Sequence, residues 1–587
     1  MKFLRNMLAS MLGFTLAIFL FVLIVVIVVS AMFSSVDQEV EVKSNSILTI
    51  SLDKPIVDRA ISNPFEGFPM DGFDRYQQIG LNDIITNIKK AKDDANIKGI
   101  YIELPFMIQA RMASLEEIRN ALADFKQSGK FVAVYGEVYY HTSYYLASVA
   151  NYVWLNPTGN FYFVGIRSDV MFLKGTFDKL EIEPQLIRHG KFKGAGEMFV
   201  KEKLSDENRL QIQELIDANW NLMLDAISDS RGISKTKLNN YADNVSLTRP
   251  EVCYQNGIVD SLLYKDQVIE ILKKLSGSGK KDPEMISLAK YKRVPPKNFS
   301  EKFSKPKIAL IYATGDIVSG KDPDNLSSEL ISKEIRKARQ DSTIRAIVLR
   351  VNSPGGSALA SDIIWREMKL AAQTKPTVVS MGDVAASGGY YIACPADTIV
   401  ADPTTITGSI GVFGVVVNGE KFLKNKLGVT FDLVKTNEHS GFPSFNRPLT
   451  AFEKDYMQKE IDFIYDDFVS KVAEGRGLTR KQVDNIAQGR VWNATKAKEI
   501  GLVDLLGGMD TALNIASKMA KLKSFRVVEL PEQKDGFEEL IDGLTNEAKV
   551  WSIKNELGTH YKYYEQYKRA IRYNGIQMLM PIDVTME

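Results

Sequence analysis

The motifs of the first half of this chain return in the second at an offset of about 246 residues, and no other feature limits the fold as much. Gly136-Glu137-Val138, Ser143 to Asn151 and Leu155-Asn156-Pro157-Thr158 correspond to Gly382-Asp383-Val384, Gly389 to Asp397 and Ala401-Asp402-Pro403-Thr404. Ile97 to Ile102 pairs in the same way with Ile344 to Leu349, and Asn256 to Asp260 with Ile500 to Asp504. Each half alternates apolar β-like runs with amphipathic helical stretches, such as Ser327 to Arg339 ahead of the run at Ile344. This predicts an α/β fold of repeated ββα or βαβ crossover units. With 587 residues and 45% hydrophobic content, there is material for two or three domains. The expected divisions are 1–36 for an N-terminal segment, 47–273 for the first repeat and 274–306 for a linker rich in polar residues and breakers. The second repeat takes 307–526, and 527–587 is a charged, tyrosine-rich tail whose role the sequence does not indicate.

Within the second half, Met381 to Tyr391 places Ser387 between small residues, after a β-rich run and ahead of a helical stretch. Small neighbours let a substrate backbone approach the hydroxyl, and the N–H of Gly388 is open to a developing oxyanion. A second glycine-rich turn, Asn352 to Ser357, ends the apolar run that begins at Ile344. Either turn alone is an ordinary feature of an α/β sheet; two of them can face one reacting carbonyl, with Gly388 and Gly356 as its amide donors.

The two copies disagree at these places. Ser387 projects onto His141, Gly355-Gly356 onto Ile108-Gln109, and Ser409 onto Phe163, so the first copy cannot hold a complete site. Conversely, the first copy carries Arg188 to Gly196, with Lys193 ahead of Gly194-Ala195-Gly196, where the second has Lys435 to Gly441 and no lysine matching Lys193. A serine hydroxyl is a weak nucleophile without a base. A lysine serves as that base only when neutral, which requires desolvation to bring it down from about 10.4. Spacing alone describes Lys193 as a solvated surface lysine, with Lys191 beside it as a rival base. A Ser-His-Asp arrangement has four histidines to draw on, His141, His189, His439 and His560, of which His439 is the candidate in the second half.

The motifs NSPGGS (352–357), MGDVAASGGYYIA (381–393) and TGSIGVFG (407–414) resemble those of the signal peptide peptidase A (protease IV) family in its long, duplicated, membrane-anchored form. The similarity runs from about Ile47 to Val527. The resemblance implies two tandem crotonase/Clp-protease-like α/β domains. It further implies a Ser-Lys dyad assembled from both halves, with Ser387 as nucleophile, Lys193 as general base and Ser409 as the hydroxyl that orients the lysine. Released signal peptides as substrates and ring-like homo-oligomers come from the same resemblance, and it implies no cofactor. Relatives on this wider fold include enzymes that are not proteases, so a crotonase-type acyl-CoA enzyme and a non-catalytic membrane scaffold stand as alternatives. The scaffold is expected to have lost Ser387, which is present.

Between Arg5 and Asp37 there is no charged residue, and Met7 to Phe33 is apolar and exceeds the 7–15 residues of a signal-peptide core. It reads as an uncleaved transmembrane helix. Lys2 and Arg5 precede it, while Asp37, Glu39 and Glu41 follow, which sets the N-terminus in the cytoplasm and the rest of the chain outside the cell or inner membrane. Lys plus Arg at 74 against Asp plus Glu at 72 gives no electrostatic case for nucleic acid. Cys253 and Cys394 have no metal-type spacing and sit in apolar surroundings, where free buried thiols are expected; no metal motif is present.

Overall fold

Strands that are apolar along nearly their whole length need cover on both faces, as happens in parallel sheets flanked by helices. Thr377–Ala386 is buried at every position, and Ile97–Glu103 at all but Lys98 and Glu103. The computed structural model of the protein describes residues 2–36, 40–61, 78–279, 281–295, 305–323, 325–533 and 576–580. In the first half, six parallel strands run in the order Ser261–Leu262, Tyr152–Tyr162, Phe131–Tyr140, Ile97–Glu103, Ser46–Ser51, Met285–Ser287. The second half repeats the design as Val491–Asn493, Ile406–Gly408, Thr377–Ala386, Ile344–Ser353, Lys307–Thr314, Arg526–Leu530, with Thr398–Ala401 and Leu505–Leu506 pairing off this path. Only Val491–Asn493 runs antiparallel there. Alternation along a strand feeds two cores: Ala309, Ile311 and Ala313 face one helical layer, while Ile308, Leu310 and Tyr312 face the other.

The repeat read from the sequence is visible element by element. Phe131–Tyr140 leads into the helix His141–Ala147 as Thr377–Ala386 leads, through Ser387, into Gly388–Ala393. Two 26-residue helices, Asp206–Arg231 and Ala451–Arg476, also correspond. Each starts at a hydroxyl cap, Ser205 or Thr450, and stops at a left-handed glycine, Gly232 or Gly477.

A third sheet joins what the repeat separates. Its order is Leu326–Ser327, Ile317–Val318, Gly355–Ser357, Ile576–Leu579, Val412–Asn418, Glu183–His189, so it draws on both halves and on the tail. Glu183–His189 belongs to the first half but pairs antiparallel with Val412–Asn418 over its whole length. Within the expected linker 274–306, Met285–Ser287 adds an edge strand to the first sheet, and Leu288–Lys292 forms a helix packed against it.

Buried polar contacts also cross between the halves. The Arg350 guanidinium donates to Asp58 over 2.7 Å and to Glu117 over 2.6 Å, and Ser114 donates from its N–H and its hydroxyl to Asp383 over 3.0 and 2.7 Å. Cys253 and Cys394 are free and buried, in keeping with their apolar settings.

At the N-terminus, Lys2–Val36 is one helix of 35 residues. Its side chains are described only as far as Ile24, and among the described residues no helix is long and apolar enough to cross a membrane.

Candidate active site

Ser387 sits at the turn from a fully buried strand into a short helix, with φ 55° and ψ −115°. A positive φ is costly for a residue with a Cβ, by about 1–3 kcal/mol, and persists only where the surroundings hold it. Here they do: the Ser387 N–H donates to the Gly408 carbonyl over 2.8 Å, and its own carbonyl accepts from Tyr391 N–H over 2.9 Å. Gly388, the first residue of the helix, has an N–H with no partner inside the helix.

The second glycine turn comes to the same place. A Cβ on Gly355 would lie 2.7 Å from the Gly388 nitrogen, and one on Gly356 would lie 2.2 Å from the Ile317 carbonyl oxygen. Their φ angles, 103° and 154°, also belong to glycine. Two turns thirty residues apart in sequence thus converge because their parent strands, Ile344–Ser353 and Thr377–Ala386, are parallel neighbours.

Lys193 reaches this place from the first half. Its Nζ lies 2.8 Å from Ser387 Oγ, 3.0 Å from the Ser409 carbonyl oxygen and 3.1 Å from Ser409 Oγ. Lys193, Ser387 and Ser409 are all fully buried. The strand Glu183–His189 carries the chain to the site, and glycines make room for the lysine stem: a Cβ on Gly489 would meet Lys193 Cβ at 2.6 Å, and one on Gly411 would meet Cδ at 3.1 Å. The backbone is pinned as well, since Arg188 donates to the Lys193 carbonyl over 2.8 Å and to Glu197 over 3.0 Å. Burial drives the Lys193 ammonium well below the usual lysine range. A neutral amine touching a serine hydroxyl can take its proton.

The rival bases stand elsewhere. Lys191 is exposed, with its ammonium 5.4 Å from the Phe192 ring centre. His439 stacks on Phe452 and faces Glu453, and His189 lies 2.7 Å from Asp462 and stacks on Tyr465. His560 lies outside the described residues. In the first half, His141 occupies the place of the serine, buried near Trp220 with neither ring nitrogen hydrogen-bonded, and burial lowers it to about 4. Phe163 packs against the same Trp220, so aromatic side chains fill the region that corresponds to Ser387 and Ser409 in the other half. Among the described residues, no group of His, Cys, Asp and Glu side chains is gathered that can hold a metal.

Sequence reading did not single out Gly411 and Gly489, which flank the lysine, nor the strand Ile576–Leu579, which lies beside Gly355-Gly356. The alternation in Ile576-Gln577-Met578-Leu579, between Gly575 and Pro581, is a strand signal of the minimum length.

A strained serine at a strand-to-helix turn, faced by a glycine turn on an α/β sheet, is the architecture of a serine hydrolase. Comparison with known proteins narrows the class. The model of peptidase family S49 matches twice, at residues 124–278 and 369–523, and that of Clp protease matches residues 301–401. A Protease 4 of Salmonella typhi is 36% identical over 489 residues, covering 81% of this chain and 78% of its own. A Protease 4 of Haemophilus influenzae is 35% identical, covering 77% and 75%, and a chloroplastic serine protease SPPA of Arabidopsis thaliana is 32% identical, covering 86% and 74%. The chain belongs to peptidase family S49, the family of protease IV and SppA, and is a serine peptidase with a duplicated Clp-like fold.

Proposed function

We propose that the protein hydrolyses peptides with a Ser-Lys dyad built from both halves. Ser387 Oγ attacks the peptide carbonyl as Lys193 takes the hydroxyl proton, and the Gly388 and Gly356 amides receive the oxyanion. Lys193 then gives its proton to the leaving amine, and water, activated by the same lysine, releases the acyl group. Ser409 holds the lysine on its path to the serine. The observation that carries this reading is the 2.8 Å approach of two fully buried side chains that no local sequence relation brings together.

The substrates are extended peptides, with released signal peptides as the natural class, and the helix Lys2–Val36 anchors the enzyme in the cell or inner membrane with its N-terminus in the cytoplasm. The apolar run Met7 to Phe33 and the outward Leu12, Phe14, Phe19 and Phe21 support the anchor. Self-association is part of the same proposal, supported by exposed Phe431, Leu433 and Val434.

The test is a pair of substitutions with a pH profile. Ser387→Ala and Lys193→Ala are each expected to lower kcat/KM on a fluorogenic peptide by at least about 10³-fold without unfolding the chain. In the wild type, activity rises with pH as Lys193 loses its proton, and levels off below the ordinary lysine value because burial has moved the titration down. Turnover retained by Lys193→Ala would move the base to another group.

A further inference from the structure

The elements that frame Ser387 have counterparts in the first half. Ile317–Val318 pairs with Leu326–Ser327 and with Gly356. In the same way Ile56–Val57 pairs with Ile79–Gly80, and the Ile56 N–H donates to the Gln109 carbonyl over 2.9 Å. Residues 108–110 thus stand where Gly355–Ser357 stands, and residues 166–172 follow Tyr152–Tyr162 as Val412–Asn418 follows Ile406–Gly408. In the second half a single strand separates the two framing elements and pairs with both, so the gap between them is one extended chain wide.

In the first half the same two edges carry open backbone. Among the described residues, the N–H groups of Ile108 and Ala110 donate to no backbone carbonyl, and neither do those of Val164, Ile166, Ser168 and Val170. Unpaired groups in a row along an edge are a template for an added strand. The side chains beside them are apolar: Phe106, Met107, Tyr162 and Val164 are between 40% and 66% exposed. Phe106 meets Tyr140 edge-on with ring centres 5.6 Å apart, and Tyr140 stacks on Tyr162 at 5.2 Å, which makes a ledge of three rings. Large apolar groups gathered on a surface mark an interaction site. The position of the serine is held by the buried His141, so a chain lying here meets no hydroxyl nucleophile.

Taking its ligand class from the peptide-hydrolase reading above, we infer that the first half forms a second peptide groove, which binds an extended apolar peptide by strand addition and does not cut it. The peptide backbone pairs with residues 108–110 on one side and 166–172 on the other. Its aromatic or aliphatic side chains lie on Phe106, Tyr140 and Tyr162. Alternate residues of an extended chain face the same way, so the groove selects apolar side chains two positions apart. A chain long enough to reach both grooves is presented to the dyad at a raised effective concentration.

The probe is a synthetic peptide of alternating Leu and Ser with a benzoylphenylalanine at its centre, photocrosslinked to full-length Ser387→Ala protein in detergent and mapped by mass spectrometry. Crosslinks are expected on residues 104–110 and 162–171. Phe106→Glu with Tyr162→Glu is expected to lower this capture by about 10-fold or more, and Phe106→Leu with Tyr162→Phe to keep most of it. N-methylation of alternate peptide nitrogens is expected to lower it as far, because the methyl groups block the ladder. That arm uses the unaltered surface, so it decides the matter even where thermal unfolding shows the glutamate variant to be misfolded. No crosslink on these residues, in a protein whose wild type cuts a fluorogenic peptide, would overturn the groove and leave the dyad standing. Capture that neither the glutamates nor N-methylation lowers would overturn it too, as adhesion to an apolar surface. A glutamate variant that sediments as a smaller assembly while capturing the peptide as before would assign the ledge to a second copy of the chain instead. Capture at the ledge by a protein whose wild type cuts no peptide would uphold the groove and bring down the dyad.

Discussion

At the residue scale, the site depends as much on atoms that are missing as on those present. The space between the Gly388 amide and the Met578 carbonyl is the space a Cβ on Gly355 would fill, at 2.7 and 2.0 Å from them. Gly355→Ala is accordingly expected to lower kcat by about 10²–10³-fold, the usual effect of losing one oxyanion donor. Its φ of 103° adds a strain of about 1–3 kcal/mol for any residue with a Cβ. The measurement is steady-state kinetics beside thermal unfolding: a folded Gly355→Ala enzyme with wild-type kcat would show that the carbonyl reacts elsewhere. The sequence pointed to the serine and its glycines through small-residue motifs, and to Lys193 through the mismatch between the two copies taken together with the family resemblance. Gly411 and Gly489 stayed hidden, because what they make room for is a side chain more than two hundred residues away in sequence.

At the element scale, periodicity served well where an element is long or buried on both faces. The alternation of apolar strands with amphipathic helices predicted the two parallel sheets, and hydroxyl caps and terminal glycines bound the long helices Asp206–Arg231 and Ala451–Arg476. Elements of two to four residues that pair far along the chain left no such mark. Met285–Ser287 lay inside an expected linker and Ile576–Leu579 inside a tail without a role, and both are strands only because a partner edge receives them. The N-terminal helix carries its own prediction. With no charge from Met7 to Phe33 and a rise of about 1.5 Å per residue, the run exceeds the roughly 20 residues a bilayer core requires. The protein is expected to remain in the membrane fraction after high-salt and carbonate washes, and a reporter fused after Glu587 to behave as extracytoplasmic. A soluble chain beginning near Ser34 would make the segment a cleaved signal instead.

At the scale of the whole molecule, the proposed dyad turns the duplication into a division of labour, and on that reading the halves depend on each other. The lysine is delivered by a strand of the first half that joins the sheet shared with the second, and the first-half position matching Ser387 is occupied by His141, with Phe163 and Trp220 packed around it. Arg350 is the clearest measure of this dependence. It is fully buried in the second half; burial pulls its guanidinium down, but the Glu117 and Asp58 carboxylates of the first half more than offset that and hold it well above its ordinary value. Removing one partner of a buried ion pair leaves an uncompensated charge, which costs about 3–5 kcal/mol, whereas replacing the set by apolar groups can cost little. Glu117→Ala is therefore expected to lower stability by about 3–5 kcal/mol in urea unfolding, a larger loss because Glu117 also accepts the Met509 N–H over 3.0 Å. Arg350→Met together with Asp58→Asn in the same chain should recover part of it, since no stranded charge is then left. Both halves should unfold in one transition in the wild type, because the contacts that bury Arg350 exist only while both are folded. Two separate transitions, or a Glu117→Ala protein as stable as the wild type, would show that the halves are merely adjacent, and that the dyad is held by the strand pairing of Glu183–His189 alone.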